Sequence, residues 1–261
     1  DILDLCCGKG GALPKWINTV HHGKNRNYRI NRVVGVDLSV GNIHSDHNGA
    51  NVRLQNLKEN AMKHDSYFPE DITFLVGDAG KSLFQTDESS GDSSTYAFSN
   101  HFGTTVNELE SYTKNLEKAV EIFKKGKTKF RIISCQFAIH YLMEPEKLRQ
   151  LMKTVDELLM EGGLFYCTSL DGKVVYEAMK EKAVTLERSL TNPDDEIELF
   201  GNYETSRTWS ITKAHEAWDN EYTPDQLWKV LIKLPSIRGM EADGIPEFLV
   251  DYSKDGLLLT K

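Results

Sequence analysis

Short apolar runs alternate along this chain with longer segments whose apolar residues recur every three to four positions, as strands alternating with helices do. Residues 2–6 read as a buried strand that ends in glycines. Residues 11–20 read as a helix, with Pro14 in the first turn, where its missing N–H does no harm. Residues 32–37 form the second strand, followed by a helix over 40–63 with Ile43, Val52, Leu54, Leu57 and Met62 in apolar positions. Residues 72–76 form the third strand, which stops at Gly77-Asp78. Helical spacing over 106–125 leads through a lysine-rich turn into a fourth strand at 130–135. An amphipathic helix over 145–160, with Gly162-Gly163 as its carboxyl-terminal stop, precedes a fifth strand at 164–168 and a helix at 173–186. This order predicts an α/β fold, a doubly wound and mostly parallel sheet with crossover helices.

Two stretches break the alternation. Residues 86–105 are rich in Ser, Asp, Gly and Thr and read as a flexible surface insertion without a core. Beyond Asp171 the pattern weakens into aromatic, mixed segments, expected to form an inserted β-rich or mixed layer over about 191–244. We therefore expect one domain over 1–261: a ligand-binding core to residue 170, then a substrate-side layer and the remainder of the fold from 171 onward. The scattered tryptophans read as packing residues. The chain opens on Asp1, directly on a strand-like run, so residues before it are expected, as is a further segment between Tyr252 and Gly256.

Composition narrows the classes. Of the 261 residues 39% are hydrophobic and 27% charged, ordinary for a globular protein, and no apolar run is long enough to span a bilayer. The net charge of -8 disfavours broad nucleic-acid binding, which needs Lys and Arg against phosphate, so any nucleic acid is expected in a local pocket. Cys6, Cys7, Cys135 and Cys167 lie in or beside apolar runs without metal-ligand spacing, and read as reduced core thiols.

The candidate chemistry sits at strand ends. Asp4-Leu5-Cys6-Cys7-Gly8-Lys9-Gly10-Gly11 joins the first strand to the first helix, and its glycines let backbone approach a ligand closely. Asp37 ends the second strand, where a carboxylate can accept both hydroxyls of a ribose. Asp78 ends the third, where the carboxylate or a neighbouring amide can read an adenine amino group. Together they point to an adenosine-containing ligand, although Asp37 and Asp78 also suit helix caps or turns. The spacing is not the Gly-x-Gly-x-x-Gly of nicotinamide sites. After the fourth strand comes Gln136-Phe137-Ala138-Ile139-His140-Tyr141, the most specific motif in the chain.

The glycine turn and Gln-Phe-x-x-His-Tyr resemble the class I (Rossmann-like) S-adenosylmethionine-dependent methyltransferases, and within them the mRNA cap guanine-N7 methyltransferases. Gly162-Gly163 through Asp171, and Pro246-Glu247-Phe248-Leu249-Val250, resemble later blocks of that family. Three positions depart from its pattern: Cys6 and Ala12 stand where Gly and Asp are usual, and Leu170 replaces a proline. The resemblance implies methyl transfer to guanine-N7 of the 5′ cap, with S-adenosyl-L-methionine as cofactor, S-adenosyl-L-homocysteine as product and no metal. It implies cofactor contacts from Asp4, Gly8, Lys9, Gly10, Asp37, Asp78, Gln136 and Phe137, with Lys9 near the methionine carboxylate or the cap phosphates. Positioning of the cap falls to His140, Tyr141 and Glu247, with Glu247 reading the guanine and no residue acting as acid or base. The implied partners are 5′-capped mRNA, other capping enzymes and the RNA polymerase II machinery, with no membrane. The implied location is the nucleus, or the cytoplasm if the protein is viral. Two other readings keep the same fold: a class I methyltransferase with another acceptor, and a non-catalytic methyltransferase-like subunit.

Overall fold

The computed structural model describes residues 1–18, 21–22, 27–84, 96–98, 106–123, 128–203, 206–213, 218–219, 222–223, 226–227, 237–238 and 257–260. Its chain divides into two compact units, one of residues 1–136, 146–167 and 257–261, the other of 137–145 and 168–256.

The first unit begins with β1 (Ile2–Leu5), α1 (Leu13–Asn18) and a small antiparallel pair, β2 (His21–His22) and β3 (Asn27–Tyr28). It continues through β4 (Arg32–Asp37), α2 (Val40–His44), α3 (Ala50–Lys63), β5 (Asp71–Val76), α4 (Val106–Ile122) and β6 (Phe130–Cys135). It closes with α5 (Pro145–Leu158) and β7 (Leu159–Cys167). Six strands make the main sheet, five of them parallel in the order β7-β6-β1-β4-β5. The sixth, at Leu257–Thr260, runs antiparallel beside β7.

The order reverses at β1. Successive crossovers run one way from β1 through β4 to β5, and the other way from β6 to β7. Parallel crossovers are right-handed, so α1 to α3 cover one face and α4 and α5 the other. On the first face Ile2, Val33 and Val76 pack with Leu13, Ile17, Ile43 and Ala50 in one buried cluster. Side chains of this size are worth about 1.5–3 kcal/mol each when fully buried. Phe74 belongs to the same cluster and explains Gly35 opposite it in β4: a Cβ there would stand 2.4 Å from the Phe74 ring.

Two local expectations give way. The single helix expected over 40–63 is two helices, α2 ending on a Ser45 C-cap and α3 starting after Gly49. A Cβ on Gly49 would lie 2.7 Å from the Ser45 backbone nitrogen, so the turn between them is a close backbone crossing that apolar spacing does not reveal. Gly162-Gly163 do not stop a helix. They lie inside β7, beside a register irregularity against β6 between Phe130 and Ile132. Gly162 has φ +71, and a Cβ on Gly163 would meet Met160 oxygen at 2.8 Å and Arg131 oxygen at 3.0 Å. Both glycines answer to a bulge.

In the second unit a short 3-10 turn (Ile139–Leu142) precedes α6 (Gly172–Thr185). Asp171 caps α6 by accepting from the Lys173 and Val174 amides. An antiparallel sheet follows, of β8 (Ile197–Tyr203), β9 (Ser206–Lys213) and β10 (Ile237–Arg238). Its core joins Val175, Tyr176 and Met179 of α6 to Leu190, Ile197 and Trp218, so Trp218 is a packing residue. Lys213 is fully buried and donates to the carbonyls of Asn192 and Asp195 at 2.6 and 2.9 Å, which fastens the loop before β8.

Candidate active site

The first unit gathers the predicted strand-end residues. Asp4 lies in β1 with Gly8, Lys9 and Gly10 just beyond it, while Asp37 closes β4 and Asp78 and Gln136 follow β5 and β6. These are the carboxyl ends of parallel strands around the reversal at β1, where open α/β sheets take their ligands.

The loop after β1 is shaped by left-handed backbone. Cys6, Gly8 and Gly10 have φ of +55, +55 and +70. For glycine this is free, whereas Cys6 bears roughly 1–2 kcal/mol of Cβ strain. Position 6 therefore favours a residue without Cβ. A Cβ on Gly10 would stand 3.0 Å from the Phe74 ring, which supports the loop from below, while one on Gly8 would meet nothing within 4 Å. The side of the loop at Gly8 is open.

Asp37 is the hub. Its Oδ2 accepts from the Gly8 amide at 2.8 Å, and its Oδ1 accepts from the Ser39 amide and the Asn42 side chain, each at 3.0 Å. A carboxylate offers about four acceptor positions, so the described residues leave one. Ser39 in turn caps α2 by accepting from the Asn42 amide at 3.2 Å. Ser39 and Asn42 escaped the sequence reading, although Ser at an N-cap after an acidic strand end is a recognisable signal. Asp78 accepts from the Gly80 amide at 2.9 Å, forming a tight turn, and its own amide donates to Ala97 oxygen at 2.9 Å. Both aspartates thus make the turn- and cap-type contacts with nearby backbone that their residue type also suits.

Asp4 is 5% exposed. Burial pushes its carboxyl up to about 7, the charge of Asp37 adds to this, and the Ser134 hydroxyl and Trp16 indole oppose it. Ser134 stands opposite Asp4 in the β1–β6 register and accepts from Gln136 Nε2 at 3.1 Å. A chain of hydrogen bonds thus runs from Gln136 to the buried acid. The Cys135 thiol is raised well above its usual range, first by a hydrogen bond with Cys6 and then by burial, so it stays protonated.

The rest of the Gln136–Tyr141 motif belongs to the second unit. Phe137 has φ +52, an uncommon conformation for a bulky residue, and its amide donates to Thr168 Oγ1 at 2.8 Å. Such strain persists only where surroundings enforce it, and it concentrates at functional positions. His140 is fully buried in the 3-10 turn, and neither ring nitrogen has a hydrogen-bond partner among the described residues. Burial lowers its pKa to about 4, so the ring is neutral at physiological pH. It lies against Tyr141, ring centroids 4.2 Å apart and planes 47° apart, while Tyr141 itself is 46% exposed. Glu247, with its Pro246–Val250 block, most of the 86–105 insertion and much of the 191–244 layer lie outside the described residues. Among the described residues no helix is long and apolar enough to cross a membrane.

Comparison with known proteins adds the following. The family model described as "mRNA (guanine-N(7))-methyltransferase domain" matches residues 1–203. A probable mRNA-capping enzyme of Acanthamoeba polyphaga mimivirus is 24% identical over 212 residues, covering 81% of this chain and 15% of that protein. The mRNA cap guanine-N(7) methyltransferase 1 of Arabidopsis thaliana is 28% identical over 182 residues, covering 69% of this chain and 35% of that protein. The chain thus spans about a third or less of these relatives' length. Among solved structures, an S-adenosylmethionine-dependent methyltransferase from Clostridium acetobutylicum is similar at TM-score 0.37 and 14% identity, covering 81% of this chain and 57% of that one.

Proposed function

Since the chain belongs to the mRNA (guanine-N7)-methyltransferase family, we propose that it transfers the methyl group of S-adenosylmethionine to N7 of the guanosine capping messenger RNA, releasing S-adenosylhomocysteine. The observation that carries this reading is the extent of the match: residues 1–203 take in the glycine loop, Asp37, Asp78 and the Gln136–Tyr141 motif in order.

The donor set suits that cofactor. Gly8 leaves open space beside Asp37, whose one remaining acceptor position takes one ribose hydroxyl directly. A second hydroxyl is accepted when the Asn42 amide gives up its bond. The Asp78 carboxylate, or the carbonyl of a peptide amide beside it, accepts from the adenine amino group. Lys9 offers a cation to the methionine carboxylate or to the cap phosphates, and Gly10, Gln136, Phe137 and Asp4 complete the set. When bound, S-adenosylmethionine supplies an electrophilic methyl group on a sulfonium.

Guanine-N7 carries a free lone pair in neutral guanosine, so no residue has to remove a proton. The protein's contribution is then to align N7 with the methyl group, and orientation of this kind is worth about 7–11 kcal/mol. Tyr141 is 46% exposed and offers a flat face and a hydroxyl suited to holding a purine, while the buried, neutral His140 ring backs it and fixes its place. Glu247 accepts from the guanine ring NH and exocyclic amine together. Its negative charge also favours the positive charge that builds on the base as the methyl arrives. No metal is required.

The substrate is 5′-capped mRNA, with other capping enzymes and the RNA polymerase II machinery as further partners. The protein then works in the nucleus, or in the cytoplasm if it is viral. We read the chain as a single domain of cofactor-binding core and substrate-side layer. The test is incubation with methyl-labelled S-adenosylmethionine and RNA carrying an unmethylated cap. Recovery of the label as 7-methylguanosine after digestion supports the proposal. Label elsewhere in the RNA, or none transferred, overturns it.

A further inference from the structure

β5 is the outer strand of the main sheet among the described residues, and none of them forms a strand beside its outer edge. At the last residue of β5 that edge is nonetheless closed. Asn115, in the middle of α4 and 7% exposed, accepts from the Val76 amide at 2.8 Å and donates to the Val76 carbonyl at 3.0 Å. One side-chain amide therefore takes the place of a neighbouring strand at a single residue. This needs a donor and an acceptor side by side on one planar group at a fixed reach, which a side-chain amide supplies without any change of protonation. Asparagine is a mediocre helix former, and mid-helix it gives up several tenths of a kcal/mol against leucine. Burial of α4 alone would be served better by leucine.

What Asn115 holds is the start of the Asp78 turn. Val76 stands opposite Asp37 in the β4–β5 register, and the next amide, Gly77, donates to the Asp37 carbonyl at 2.9 Å. Asp78 follows, with its amide on Ala97 oxygen and its carboxylate on the Gly80 amide. The end of β5 is thus pinned from both sides, by β4 and by the Asn115 amide, one residue ahead of the turn.

We propose that Asn115 is a positioning residue for the adenine side of the cofactor site, fixing the end of β5 and with it the place of Asp78. The proposal rests on the reading that Asp78 or its neighbouring amide meets the adenine amino group. The consequence is specific to the base. Loosening this one anchor should degrade recognition of the adenine amino group while leaving the ribose at Asp37 and the rest of the ligand as they were.

The test uses two probes, S-adenosylhomocysteine and S-inosylhomocysteine, which differ in having an amino or an oxo group on the base. Calorimetry with the wild-type protein should show the adenosyl compound bound at least about tenfold more tightly, because the oxo group faces an acceptor. Asn115→Leu should lower affinity for the adenosyl compound about tenfold, leave the inosyl compound within about twofold, and so collapse the preference. Asp78→Ala should collapse it with Asn115 in place. An Asn115→Leu protein that keeps the preference, whether both affinities are unchanged or fall together, overturns the positioning role while leaving Asp78 as the adenine reader. A wild-type protein without preference overturns the adenine reading itself, and the proposal with it.

Should Asn115→Leu fail to fold, Asn115→Asp serves instead. It keeps the volume and the acceptor for the Val76 amide but, once ionised, sets an oxygen against the Val76 carbonyl, so the same collapse is expected as pH rises through the titration of the new carboxyl. If neither variant folds, amide exchange in the wild-type protein decides. The Val76 and Asp78 amides should gain protection together when S-adenosylhomocysteine binds, and protection gained at Asp78 alone contradicts the coupling.

Discussion

Replacing Asp37 with Asn changes the site's hub while keeping its shape. In the wild-type protein the carboxylate takes three donors, the Gly8 amide at 2.8 Å and the Ser39 amide and Asn42 side chain at 3.0 Å. An asparagine whose oxygen keeps Ser39 and Asn42 must aim its NH₂ group at the Gly8 N–H. That leaves a donor against a donor in a side chain 9% exposed. An unsatisfied buried donor costs about 1–3 kcal/mol, and the two remaining bonds weaken once the charge is gone. We expect a stability loss of about 2 kcal/mol, which for a chain of this size lowers Tm by roughly 4–8 °C. Binding should suffer separately, because the ribose acceptor is weakened and the open side of the loop at Gly8 is released. Calorimetry should show S-adenosylhomocysteine affinity reduced at least about tenfold. Ser39→Ala is the control: it loses the α2 cap, about 1 kcal/mol of stability, but leaves Asp37 in place and should bind nearly as the wild type does. An Asp37→Asn protein that binds within twofold of wild type would remove Asp37 from the cofactor site.

Three further expectations concern the acid, the histidine and the guanine. Asp4, raised to about 7 by burial, holds a proton in the folded protein that it lacks when unfolded between about pH 4 and 7, so the ligand-free protein loses stability as pH rises through that window. Asp4→Asn should cut that loss, by at most about 4 kcal/mol at pH 8, and chemical denaturation at pH 5 and 8 that finds the same slope in both proteins refutes it. His140, lowered to about 4, stays neutral in the folded protein, so the single-turnover rate should change less than about twofold from pH 5.5 to 6.5. A tenfold rise over that unit would mean that a group titrating above it must lose a proton for transfer, which contradicts both the lowered His140 value and the absence of a base. Glu247→Gln turns one acceptor into a donor facing a donor on guanine, and should cost roughly 3 kcal/mol, on the order of a hundredfold in kcat/KM with a capped dinucleotide, at unchanged cofactor affinity. Full activity in that variant would end the guanine-reading assignment.

The five parallel strands were legible because their apolar runs are short and bounded by acidic or glycine-rich ends, as at Asp37 and Gly77-Asp78. What sequence concealed are the places where a residue serves something distant in the chain. Asn115 satisfies a backbone pair 39 positions away, and nothing in the spacing of α4 marks it. Gly35 is there to admit the Phe74 ring, and its neighbours in β4 give no sign of that. Gly162-Gly163 were misread because a helix stop and a strand bulge ask for the same residue. The break between α2 and α3 went unseen because apolar spacing carries across the crossing at Gly49. Among the motif residues, Phe137 and Cys6 take left-handed backbone that a sequence motif does not encode.

The central claim is that the reacting atom is N7 of the cap guanine. The direct measurement compares two capped RNAs, one with guanosine and one with 7-deazaguanosine, in which N7 is replaced by a C–H while the Watson–Crick edge is unchanged. Both should compete for the protein with similar affinity, and only the guanosine cap should accept labelled methyl. Methyl transfer to the 7-deazaguanosine cap at a comparable rate would contradict the account.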